Sequence, residues 1–367
     1  MISKPFRYFL LPLAAAMFMT LSCNDDQPYT DPDPLPDDDD PSAPIIPDVD
    51  ILATAQQLWA EEFDASTFVD AVETVPTDSL TQPDYEDFFE NSSMYTDGTR
   101  DVIITYRGDT ATWKFEDDDK HKTEAAVKIS ARGAHVTVRN DEGEGRARIN
   151  YILRGETDNG SLRVYSAKKF LVTLDDVTLC NREGSAINVQ KVGEKKRMFL
   201  CMEDGSDNYL CDAAQYTDTV PGEDEKGTIF SEGKIILMGK GRLHVSALCS
   251  HAIASDDDIR IHSGVEILVD SCRKDGIHAK DGIVMSGGMV KILARKDAIQ
   301  CDTISKGFTL TGGRLLAAAK RGLTANPFIY DGGEFSFVAV SSQCPTSGSA
   351  LWTKEEHPEG YVEVKGK

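Results

Sequence analysis

From about Gly227 onward the chain repeats itself, and this repeat limits what it can fold into more than any other feature. Four passages align: Ser250-His251-Ala252-Ile253-Ala254-Ser255-Asp256, Lys274-Asp275-Gly276-Ile277-His278-Ala279-Lys280, Lys296-Asp297-Ala298-Ile299-Gln300-Cys301-Asp302 and Lys320-Arg321-Gly322-Leu323-Thr324-Ala325-Asn326. Lys226-Gly227-Thr228-Ile229-Phe230-Ser231-Glu232 is a weaker earlier copy. Ile229, Ile253, Ile277, Ile299 and Leu323 follow one another at 24, 24, 22 and 24 residues. Within a unit three short apolar alternations occur, as around Ile253, then Ile259 and Ile261, then Ile267 and Val269. Period two marks a strand with one buried face, and pairs such as Gly287-Gly288 and Gly312-Gly313 supply corners.

One such unit cannot bury its apolar residues alone. Stacking units at about 4.8 Å pairs each strand in parallel with its neighbours and fills a continuous interior. The inward column Ser231, Ser255, Ala279, Cys301, Ala325 is small throughout, as a narrow interior requires. The regular Leu and Asn positions of a leucine-rich repeat are missing. The expected fold is all-β, a right-handed parallel β-helix of about 22–24 residues per coil, the hand following from the preference of parallel crossovers.

The N-terminus reads as an export and anchoring signal. Lys4 and Arg7 precede an apolar run from Phe9 to Met19, about 11 residues and too short to span a bilayer. Thr20-Leu21-Ser22-Cys23 resembles a bacterial lipobox, so Cys23 is the expected site of diacylglyceryl and palmitate attachment. Asn24 to Asp50 is nearly all Asp, Pro and small polar residues, a tether that cannot bury apolar surface. Its acidic start also resembles surface-export signals of Gram-negative lipoproteins, which places the protein at the outer membrane or cell surface; a periplasm-facing anchor is the alternative. The expected organisation is a signal peptide over 1–22, lipidated cysteine and tether over 23–50, an N-terminal capping or irregular β segment over 51–130, the β-helix over 131–345 and a C-terminal cap or tail over 346–367.

A formal net charge of −22 argues against nucleic acid as a partner. Beyond Cys23 the cysteines are Cys180, Cys201, Cys211, Cys249, Cys272, Cys301 and Cys344, an odd number with no zinc spacing. Buried thiols acting as small hydrophobes are the simpler reading; Cys201 with Cys211 and Cys249 with Cys272 are the first pairs to check for disulfides.

The order of motifs carries a resemblance. Leu174-Asp175-Asp176-Val177, Gly184-Ser185-Ala186-Ile187-Asn188-Val189, a long loop to Gly227-Thr228-Ile229-Phe230-Ser231-Glu232-Gly233, Gly239-Lys240-Gly241 and then the repeats resemble the bacterial carbohydrate-binding β-helix family. That family is similar in fold to pectate lyases. The resemblance covers roughly residues 130–340. It implies bound calcium and affinity for plant cell-wall polysaccharides such as cellulose or polygalacturonate. The chain departs from the commoner Asp-Gly-Ile pattern at Asp297-Ala298-Ile299 and Arg321-Gly322-Leu323.

Acidic residues recur at the corners, Glu232, Asp256 and Asp302 in one column and Asp275 and Asp297 in another, with Asp257, Asp258 and Asp281 beside them. Carboxylates one rung apart repel unless a cation intervenes, and calcium prefers carboxylate and carbonyl oxygens. These eight are the candidate calcium ligands; the alternative is that each hydrogen-bonds its own turn. Lys274, Lys280, Lys296 and His278 are the candidate carbohydrate contacts, with Lys226 and Lys320 in the same basic row. The loop acids Glu203, Asp204, Asp207, Asp212, Glu223, Asp224 and Glu225 read as solvated, with calcium ligation the alternative. No aromatic platform for sugar stacking is evident in the repeats. The function expected is non-catalytic polysaccharide binding at a cell surface. A β-helix lyase or glycoside hydrolase and a surface adhesin or stalk are the alternatives.

Overall fold

The computed structural model describes residues 99–116, 127–140, 148–191, 197–303, 306–341, 352–358 and 362–366. The signal, Cys23, the tether, the apolar pairs Leu58-Trp59 and Phe88-Phe89, and Cys344 lie outside them. The described part opens with two hairpins. β1 (Thr99–Arg107) and β2 (Thr110–Glu116) run antiparallel about Gly108, and β3 (Lys128–Arg132) and β4 (Ala134–Asn140) about Gly133. β5 (Arg148–Thr157), β6 (Gly160–Ser166), β7 (Phe170–Cys180), β8 (Ile187–Lys191), β9 (Arg197–Met202) and β10 (Asp207–Cys211) follow.

Strands then come in threes. β11 (Gly227–Ser231), β12 (Lys234–Gly239) and β13 (Arg242–Ala247) precede β14 (His251–Ser255), β15 (Ile259–Ile261) and β16 (Glu266–Cys272). β17 (Ile277–Ala279), β18 (Gly282–Met285) and β19 (Met289–Ala294) precede β20 (Asp297–Cys301), β21 (Gly307–Leu310) and β22 (Arg314–Thr324). β23 (Phe328–Tyr330), β24 (Glu334–Ser341), β25 (Trp352–Glu356) and β26 (Val362–Gly366) end the chain.

Pairing is mostly parallel and skips to the third strand on. One series is β8, β11, β14, β17, β20 and β22; a second is β9, β12, β15, β18, β21 and β23. The third is β10, β13, β16, β19, β22 and β24. Ile229 pairs with Ile253, Ile253 with Ile277, Ile277 with Ile299 and Ile299 with Leu323, the register the repeat spacing predicts. All five are buried, as are Ile235, Ile259, Ile283, Phe308 and Phe328 in the second series and Leu243, Ile267, Val290, Leu315 and Phe335 in the third. The small column is also inward and buried, Ser231 against Ser255, Ala279 and Cys301.

Upstream, β1 pairs in parallel with β5, β5 with β7, and β4 with β6 and then β8. Among the described residues, parallel pairing is therefore present from Thr99, within the stretch read from sequence as a capping or irregular β segment. β7 is long because it turns a corner, its first half on β9 and its last residues on β10. Asp176 sits at that corner with φ of 53°, the one non-glycine among the described residues in the left-handed region. Beside it Gly155, at φ 83°, could carry no side chain, since a Cβ would lie 2.2 Å from the Tyr106 carbonyl oxygen. At the other end β26 lies antiparallel on β24, and β25 antiparallel on β26.

Candidate functional site

The corner that enters β14, β17, β20 and the end of β22 concentrates ionisable groups where the repeat stacks equivalent positions. Asp275 and Asp297 are fully buried. Asp275 faces His251 Nδ1 at 3.0 Å and His278 Nδ1 at 3.1 Å, and its Oδ1 accepts the Asp297 N–H at 3.1 Å. His278 Nε2 reaches Asp302 at 3.2 Å on the outer surface. Asp297 is held by both arms of the Arg321 guanidinium, with Nη2 to Oδ2 at 2.7 Å. A buried carboxylate persists only with such partners.

The electrostatics follow from this chain. Burial lowers His251 to about 4, so it is neutral at physiological pH. Burial pulls His278 the same way, but its bonds to Asp275 and Asp302 prevail and push it up to about 9. For Asp275, burial is outweighed by its two imidazole partners, which hold the carboxyl well below the usual range. Burial and the neighbouring Asp275 charge raise Asp297 to about 6 despite Arg321. His251 Nδ1 also lies 3.3 Å from the Asp275 N–H, so its tautomer decides whether it donates to the carboxylate or accepts from the amide.

The next corner, between β14 and β15, holds the aspartate triplet. Ligand oxygens of Asp257, Asp258 and Asp281 lie within 4.8 Å of one another. They do not face one another bare. Lys306 Nζ bridges Asp258, at 3.0 and 3.1 Å, to Asp281, at 3.0 Å, and Lys234 Nζ stands 3.6 Å from Asp258. Asp257 accepts the Asp258 N–H at 2.8 Å, the turn bond that was the alternative to metal ligation. Asp256 is paired with Lys226 at 2.8 Å.

The eight acids thus do not form one site. Asp275 has nitrogen partners, Asp297 an arginine and Asp256 a lysine; Glu232 and Asp302 join no group of three potential ligands among the described residues. For calcium, a hard cation that takes oxygen donors, only Asp257, Asp258 and Asp281 offer an all-carboxylate set there, and the Lys306 ammonium now stands on it. Of the candidate sugar contacts, Lys274, Lys280 and Lys296 are exposed, with Lys296 stacked on Lys274 through a 3.1 Å backbone bond. His278 is half-buried in the ion-pair chain.

Two sequence expectations are corrected. The disulfide among the described residues is Cys180–Cys211, joining the ends of β7 and β10 where they pair; Cys249 and Cys272 do not pair with each other, nor Cys201 with Cys211. Paired neighbours on stacked rungs bring thiols together in a way linear spacing does not reveal. Of the loop acids read as solvated, Glu203, Asp204, Asp207 and Asp224 are exposed, whereas Asp212, Glu223 and Glu225 are pinned by hydrogen bonds. Asp212 is buried and accepts Tyr216 Oη and the Leu248 N–H, each at 2.6 Å. Glu223 accepts Tyr165 Oη at 2.6 Å and Glu225 the Ser185 N–H at 3.0 Å. Sequence reading also missed an exposed aromatic stack, Tyr209 on His244, because the partners come from β10 and β13 on either side of that loop.

The class these features define is an all-β chain of mostly parallel strands, stacked in a β-helix-like manner with charged corners. The carbohydrate-binding domain-containing protein family matches residues 132–362, and the chain belongs to that family. A relative from Acetivibrio thermocellus (strain ATCC 27405), described as a carbohydrate-binding domain-containing protein, is 31% identical over 117 residues. That match spans 31% of this chain and 40% of the relative's length. A solved polysaccharide lyase-like protein from C. thermocellum, a gadolinium derivative, aligns with a TM-score of 0.48 at 21% identity, covering 65% of this chain and 94% of that one.

Proposed function

We propose that this chain is a non-catalytic, lipid-anchored surface protein that binds polysaccharide of the plant cell-wall type, such as polygalacturonate or cellulose. Family membership over 132–362, which spans the strand stack, carries this reading. A non-catalytic role is favoured because the acids and bases of the corners are committed to one another. A general acid or base must be free to meet a substrate proton, whereas Asp275 and Asp297 are buried and ion-paired. The proposed winding is right-handed, with about 22–24 residues per coil, on the general bias of parallel crossovers.

Anchoring through Cys23 and display at the outer membrane rest on the lipobox-like sequence and acidic tether. The Cys180–Cys211 disulfide supports export to an oxidising compartment. Calcium is proposed at Asp257, Asp258 and Asp281, where it would displace Lys306, with Lys274, Lys280 and Lys296 offering charge to an acidic glycan. The test is affinity electrophoresis of the full chain in gels containing polygalacturonate or soluble cellulose derivatives, with and without chelator. New reducing ends and unsaturated uronates are assayed in parallel. Retardation without turnover is the expected result; turnover would replace the binding reading with a lyase or hydrolase. Cys23→Ala should move the protein from membrane to soluble fractions.

A further inference from the structure

The corner acids and lysines account for one edge of the stack. A different face carries an open cavity and an exposed aromatic stack side by side. The cavity, of about 510 Å³, is lined by Thr105, Arg107, Glu156, Asp176 and Thr178 together with backbone at Tyr106, Gly108 and Gly155. The register makes it part of one sheet: Arg107 pairs with Glu156, Glu156 with Thr178, Thr178 with Tyr209, and Tyr209 with His244. Tyr209 is thus the next rung after the cavity's last lining residue. It is 42% exposed, and its ring lies flat on the His244 imidazole, 4.4 Å between centroids and 7° between planes.

The stack is braced at its edges. Tyr209 Oη donates to Asp207 at 3.1 Å, His244 Nδ1 meets Asp270 at 2.9 Å, and the Asp207 N–H donates to Asp176 Oδ1 at 3.0 Å. A large, flat, exposed aromatic surface held in place by its neighbour presents a π-face at little entropic cost. The carboxylates around it keep spare acceptor sites, since each can take about four hydrogen bonds. The combination of an apolar plate, convergent acceptors and a cavity within the usual 300–1,000 Å³ range is what a small polar ring requires.

We infer that this face, from the Arg107–Thr178 cavity to the Tyr209–His244 stack, is a glycan subsite that takes neutral, hydroxyl-rich sugars. The inference rests on the carbohydrate-binding reading and adds where the sugar sits and which class it is. Glu156, Asp176, Asp207 and Asp270 outnumber Arg107 and Arg242 here, so a uronate carboxylate is repelled while sugar hydroxyls find acceptors. Pyranose C–H faces stack on Tyr209, and a neighbouring residue of the chain enters the cavity.

The test measures full-chain affinity for hydroxyethyl cellulose and for polygalacturonate in wild type, Tyr209→Ala, Tyr209→Phe, Asp176→Asn and Trp113→Ala. Asparagine tolerates the left-handed backbone at 176, and Trp113 is exposed but pairs opposite inward-facing Ile104, off this face. Tyr209→Ala should weaken neutral-glucan binding about tenfold or more, with Tyr209→Phe and Trp113→Ala close to wild type. Asp176→Asn should weaken it to a smaller degree. Neutral-glucan binding unchanged in both Tyr209→Ala and Asp176→Asn, with wild type binding, overturns the subsite alone. Loss of polygalacturonate rather than glucan binding in Tyr209→Ala overturns the assignment to neutral sugars. No glycan binding by wild type overturns the carbohydrate reading and this inference with it. Thermal melts of Tyr209→Ala near wild type keep the readout on binding rather than folding.

Discussion

His278 shows how the stack sets the chemistry of a single residue. Its imidazole is charged at neutral pH because Asp275 and Asp302 flank it from successive coils. Its folded pKa of about 9 lies above the unfolded value near 6.5, so its stabilising contribution is complete below pH 6.5 and is lost as pH rises through 9. The stability gap between wild type and His278→Gln should therefore shrink by about 3 kcal/mol between pH 6 and pH 9.5 in denaturant melts. Comparing the two proteins cancels the titration of buried thiols such as Cys272, which both share. A pH-independent gap would show that His278 carries no charge in the fold. Lys306 gives the second residue-scale prediction. Its ammonium stands between Asp258 and Asp281, so calcium at the proposed site would compete with a tethered cation. Lys306→Met should lower the melting temperature in chelator and make it rise with calcium more steeply than in wild type. An equal calcium response in both proteins would remove Asp257, Asp258 and Asp281 as the cation site.

At the scale of elements, β7 and β10 are the best-defined joint. β7 turns a corner at Asp176, pairs with β5 on one side and with β9 and β10 on the other, and ends in a disulfide to β10. The bridge closes a loop that includes β8 and β9, and by loop entropy it stabilises by roughly 3–4 kcal/mol. Cys180→Ser with Cys211→Ser should lower stability by about that amount in urea titrations. If the double variant matched wild type under non-reducing conditions, the bridge would not form in solution. The next stretch, Asp212 to Glu225, follows the same logic. Asp212, Glu223 and Glu225 accept bonds from Tyr216, Leu248, Tyr165 and Ser185, so three charges tether it to β6 and to neighbouring turns. Polar composition alone reads as a solvated loop, because Tyr165, Ser185 and Leu248 lie 58, 40 and 36 residues from the acids they bond.

At the scale of the whole molecule the strand series are one hydrogen-bonded body, so an interior rung cannot fail alone. Ile277 is buried between Ile253 and Ile299. Ile277→Asp puts an unpaired carboxylate into that column, at a cost of several kcal/mol. The expected outcome is loss of a single cooperative melt, followed by circular dichroism; a native-like melt would place position 277 outside the interior. The repeat spacing made this body legible from sequence, since period-two alternation and a regular interval leave few ways to bury the apolar faces. It also fixed which residues share a column, and the pairings of Ile229, Ile253, Ile277, Ile299 and Leu323 follow it.

What sequence alone determined, then, is the periodic part: strand class, register and the small inward column, all consequences of local alternation and interval. Tertiary structure decided the rest, for a physical reason. A stacked fold makes neighbours of residues one coil apart, and the energy of a charge depends on who those neighbours are. Corner aspartates therefore met different fates: the equivalent Asp275 and Asp297 found two imidazoles and an arginine, and Asp256 at the next corner a lysine. Cys180 found Cys211, and Tyr209 found His244, only because adjacent rungs bring their side chains within reach across intervening chain.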